Sequence, residues 1–129
     1  MTTNALSSEV RRFIAEHIDS AETLEILLFL QRTPEQGYTA EALSTAVYTV
    51  PAAALLRLEA LVARGFASTN GAANPEYRYA PATPELQRQV ELLSQEYGRS
   101  RVAVIQTIFE TPRSPAQAMA DAFRLRGRE

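Results

Sequence analysis

The chain has 129 residues, a formal net charge of −2 and 46% hydrophobic residues, enough for a single domain to bury an ordinary core without staples. It has no cysteine and one histidine, His17, which excludes disulfides, thiol catalysis, thiolate metal sites, histidine triads and multi-histidine metal centres. All thirteen basic residues are arginine, and with the overall balance negative, attraction to nucleic acid requires them to gather on one face. No window approaches the continuous apolar length of a membrane span, and the start, MTTNALSSEV, lacks the basic and apolar regions of a signal peptide. A soluble cytoplasmic protein is the expectation.

Ser7-Ser8 caps a first helix running through Ile18, with Val10, Phe13, Ile14, His17 and Ile18 on one side. His17 in that apolar row reads as a packing histidine rather than a ligand. Asp19-Ser20 followed by Glu22 marks a break and a new cap. The next helix, Ala21 to about Arg32, carries Leu24, Leu27, Leu28 and Leu30, with Ile26 and Phe29 widening the apolar arc. So wide an arc is buried on more than one side. Thr33-Pro34-Glu35-Gln36-Gly37 closes it.

Thr39 caps a short helix, Ala40 to Val47, whose Leu43, Ala46 and Val47 form one apolar face. Tyr48-Thr49 breaks the pattern, Thr49 is placed to cap again, and Pro51 falls in the first turn of the helix that follows. There Ala54, Leu55, Leu58, Leu61 and Val62 recur at three and four and face a core. Gly65 supplies a positive-φ stop, with Phe66 packing back. This is a helix-turn-helix. The β-prone runs 66–69 and 76–80 flank Asn70-Gly71-Ala72-Ala73-Asn74-Pro75, the signal of a hairpin with an extended tip.

Thr83 caps again, with Pro84 in the first turn and Glu85 near the positive helix end. Leu86, Val90, Leu93 and Tyr97 alternate by four and three, and Val104 and Ile108 continue the register past Gly98. Such a seam requires another helix, from this chain or from a second copy, which makes these six the candidate dimerisation residues. Gly98 weakens its helix by ~1 kcal/mol relative to alanine, which predicts a kink or break there. Arg101 to Glu110 is apolar at Val102, Val104, Ile105, Ile108 and Phe109. Ser114-Pro115-Ala116-Gln117 starts a last helix, with Met119, Ala122 and Phe123 on one side and Arg124, Arg126 and Arg128 toward its negative end. This tail reads as docking on its own domain or a dimer mate, or as a basic segment for a partner.

From Leu24 to Thr83 the order of these elements resembles the winged helix-turn-helix superfamily. Leu58-Glu59, Leu61-Val62 and Gly65-Phe66 are similar to the end of its recognition helix, and Glu41-Ala42-Leu43-Ser44 to the helix before it. Tyr77-Arg78-Tyr79-Ala80-Pro81-Ala82-Thr83 is similar to its second wing strand leading into a capped helix. The helices outside the core resemble the layout of multiple-antibiotic-resistance (MarR) type regulators. The expected fold is mainly α with a small β-hairpin, a single domain 1–129. Its parts are an N-terminal helix (7–20), a winged-helix core (21–83) and C-terminal helices (84–129).

The resemblance implies a homodimeric transcriptional regulator that turns Thr39, Ser44, Thr49, Ala52, Ala53, Arg57 and Arg78 toward double-stranded DNA. With the buried stripe assigned, Ala52, Ala53, Leu56, Arg57, Glu59, Ala60, Ala63 and Arg64 lie outside. Of these only Arg57 and Arg64 are basic, and Arg57 is the one placed for a forked pair with a guanine edge. The MarR pattern of a basic wing with an aspartate–arginine pair is missing: the tip is uncharged and Arg78 is the only wing arginine. The alternative is a protein–protein interaction module using Ala52, Ala53, Leu56 and Ala60, which suit close helix packing. Neither an enzyme nor a cofactor is expected, since no nucleophile–base pair, metal constellation or phosphate-cradling glycine loop is visible. Tyr38, Tyr48, Tyr77, Tyr79 and Tyr97 read as packing residues in preference to an effector pocket.

Overall fold

A computed structural model describes residues 6–110. In chain order it has α1 (Ser8–His17), α2 (Ala21–Arg32), β1 (Tyr38–Thr39), α3 (Ala40–Ala46), α4 (Pro51–Ala63), β2 (Ala67–Thr69), β3 (Glu76–Tyr79), α5 (Pro84–Arg99) and α6 (Arg101–Glu110). The expected last helix, with Met119, Phe123 and the terminal arginines, lies outside the described residues. Mainly helical with a small antiparallel sheet, the chain has the architecture of a helix-turn-helix followed by a wing.

Local chemistry sets most boundaries. Ser7, Ser20, Thr39 and Thr83 each accept an opening N–H with the hydroxyl, from Val10, Thr23, Ala42 and Leu86 at 3.1–3.2 Å. Pro51 and Pro84 open α4 and α5, where no intrahelical N–H is needed. Gly65, at φ +87, ends α4 by turning the chain so that Phe66 N–H reaches Leu61 C=O at 2.9 Å. The α3–α4 corner uses the same device with a less suited residue. Tyr48 sits at φ +61, and Thr49 N–H closes on Ser44 C=O at 2.9 Å. The chain bends by 107° between the two helices, the angle of a helix-turn-helix corner.

The hairpin gains a third strand. The order is β1-β3-β2, all antiparallel, with Tyr38 opposite Tyr77 and Ser68 opposite Arg78. Asn70 stiffens the wing tip by accepting from the N–H groups of Ala72 and Glu76, both at 3.1 Å.

One core runs through the described chain. Phe13, Ile14, Leu24, Leu27, Leu43, Leu58, Leu61 and Phe66 are fully buried in its first half, and Val90, Leu93, Val104 and Ile108 in its second. The last four correct the seam expectation. They pack inside the chain, where α1 lies against both α5 and α6, so the partner helix is supplied in cis. The break in the seam falls at Ser100, two residues after Gly98. Glu96, buried on α5, accepts Ser7 N–H at 3.1 Å, and Arg88 pairs with Glu9 at 2.6 Å, fixing α1 along α5. His17 stacks near Phe13 and Phe66, ring centres 5.0 and 5.1 Å away, and burial holds its pKa below the ordinary value. Among the described residues no single helix is long and apolar enough to cross a membrane.

Candidate recognition face

The face that the resemblance assigns to DNA is built by the α3–α4 corner, the outer side of α4 and the wing. Ala54, Leu58 and Leu61 turn inward, so by helical spacing Ala52, Leu56, Glu59 and Ala63 turn outward, and all four are exposed. That row carries no hydrogen-bond donor. Base-edge readout depends on long polar side chains, and here Glu59 alone provides one, an acceptor suited to a cytosine amino group and to nothing on guanine.

The sequence-predicted residues scatter. Ala52 and Arg78 are exposed, and Ala53 is half-buried. Thr39 is half-buried, with its hydroxyl capping α3. Ser44 is buried and donates to Glu41 C=O at 2.7 Å, which removes it from the outward set. Thr49 does not cap α4. Val50 holds that position without a side-chain bond, while Thr49 Oγ1 donates to Glu22 Oε2 at 2.5 Å.

Arg57 is drawn the same way. Its Nε donates to Glu22 Oε1 at 3.0 Å, and its Nη1 lies 3.7 Å from Asp19 Oδ2. The guanidinium therefore braces α4 against the start of α2, with Nε bonded to one carboxylate and Nη1 drawn toward a second. Hydrogen bonds from Thr49 and then Arg57 hold the Glu22 carboxyl below its usual range. Arg64 is also committed, donating to Glu16 C=O at 3.0 Å at the end of α1. Among the described residues on this side of the molecule Arg78 is left, exposed on β3 beside Ser68, Thr69, Asn70 and Glu76.

Leu55, expected in the buried stripe, is exposed. It lines an open groove of about 390 Å³ between α4, the first turn of α3 and the wing. Pro51, Ala52, Pro75 and Tyr77 complete the apolar walls, with Glu41, Glu59 and Asn74 also lining it. Nothing in the local pattern announces this groove, because the wing that closes it lies well downstream of α3 and α4. The tyrosines do not gather: Tyr77 lines the groove, Tyr38, Tyr79 and Tyr97 pack on the core, and Tyr48 is 95% exposed.

No known protein family matches the chain, and no curated protein matches it as a relative. Its fold is similar to the crystal structure of Rv1404 from Mycobacterium tuberculosis, with a TM-score of 0.52 at 13% identity. The match spans 95% of this chain and 84% of that one. A likeness at this identity concerns the fold alone.

Proposed function

We propose that this chain is a winged-helix regulator of the cytoplasm that works through a protein partner docked on its recognition face, without enzymatic activity. The observation that carries the reading is the character of that face. Tyr48, Val50, Leu55 and Leu56 are all exposed large apolar side chains on the α3–α4 corner and α4, while Arg57 is tied to Glu22. Four exposed large apolar side chains within nine residues of chain favour a protein contact. Tyr48 adds weight, since a bulky residue at positive φ with its ring 95% exposed gains no packing on its own chain, and backbone strain of this kind clusters at functional sites.

A homodimeric DNA-binding transcriptional regulator is the second reading. Two observations favour it: α4 opens without a side-chain cap, leaving its first N–H groups for a phosphate, and Arg78 stands exposed on the wing. One titration separates the two. Fluorescence anisotropy of a labelled mixed-sequence duplex with the full chain at low ionic strength is expected to show no binding. Binding that weakens as salt rises would overturn the docking reading in favour of DNA.

A further inference from the structure

We propose that the groove between α4, α3 and the wing receives a polypeptide segment that combines large apolar side chains with arginine. The inference rests on the docking reading and names the partner's chemistry. The walls formed by Pro51, Leu55, Pro75 and the Tyr77 ring are mainly apolar, so the part of the occupant that enters is apolar.

The charge on the lining is one-sided. Glu41 on α3 and Glu59 on α4 contribute two carboxylates, and among the described residues neither side chain has an ion-pair or hydrogen-bond partner. Among the described residues no arginine lines the groove. Two unpaired anions flanking an apolar slot reject phosphate and reward a cation held beside an apolar side chain. Arginine fits better than lysine, because its planar fork matches a carboxylate and its stem lies well on apolar surface. The groove is continuous with exposed Leu56, through their shared neighbour Ala52 on α4. A small amine would leave that surface bare, whereas a polypeptide covers both.

The test uses the full chain and a short fluorescein-labelled peptide alternating leucine and arginine, with a leucine–glutamate peptide for comparison. Anisotropy is expected to show micromolar binding of the arginine peptide only. The double substitution Glu41→Gln, Glu59→Gln is expected to weaken it about fivefold and to remove most of its salt dependence. Leu55→Asp, a change at an exposed position, is expected to abolish it while the circular dichroism stays unchanged. Equal binding of the two peptides, or binding that neither variant moves, overturns the assignment. Salt-sensitive duplex binding overturns the docking reading itself, whereas the peptide results overturn only the occupant, so the two failures are distinguishable.

Discussion

Tyr48 occupies a left-handed backbone position that glycine would fill without strain. Its ring is 95% exposed, so packing returns little to offset the cost. Such a position costs roughly 1–2 kcal/mol for an L-residue, partly balanced by the extra freedom glycine has in the unfolded chain. Tyr48→Gly is therefore expected to stabilise the fold by about 0.5–1 kcal/mol, read as a higher urea midpoint. The docking reading adds that the same variant captures a partner less well. A lower midpoint would show that the ring supports the corner after all. Arg57 teaches the converse. By sequence it is the natural reader of a guanine edge, yet nothing in its own neighbourhood reveals Glu22 and Asp19, which arrive from more than thirty residues upstream.

At the scale of elements, what was legible was what is decided locally. Four hydroxyl caps, two opening prolines and the Gly65 stop each act within one turn of chain, so α2 matches its expected span and α3 differs only in its last residue. Strand β1 was not legible, because two residues have no period and only their register with β3 makes them a strand. Leu55 misled for a related reason. Its spacing belongs to the core stripe, but the wing on that side stands off and leaves a groove in place of a contact. Glu22 ties α2 to α4 and to the turn before it by taking Thr49 and Arg57 together. Its carboxyl titrates below the usual 4.5, so its contribution to stability is complete above that value and disappears as pH falls through the lower folded value. Glu22→Gln is expected to lower the urea midpoint near neutral pH, with the gap to wild type closing as the solution is acidified. A gap that stays constant with pH would mean the junction contributes packing only. The same variant removes the charge that holds Arg57 at Glu22, so appearance of duplex binding in it would expose a masked DNA contact.

For the molecule as a whole, the seam that suggested a dimer is used up internally, and the question becomes which surface remains. Val90, Leu93, Val104 and Ile108 are fully buried in one copy, so they offer nothing to a second. The opposite side of α6 differs: Val102 and Phe109 are 68% and 73% exposed, seven residues apart, with Ile105 half-buried between them. Positions separated by three, four and seven lie along one helix stripe, and an exposed phenylalanine on such a stripe is poorly placed in water. If two copies associate, α6 is the place, and the contact is isologous because the same stripe serves both. Sedimentation velocity at micromolar concentration is expected to show a dimer for the wild type and a monomer for Phe109→Glu, with the helical circular dichroism unchanged. Leu93→Glu is expected to unfold the chain instead, since it buries a charge among apolar neighbours. A wild type that sediments as a monomer would remove the dimer, and with it the doubled surface on which the DNA reading depends.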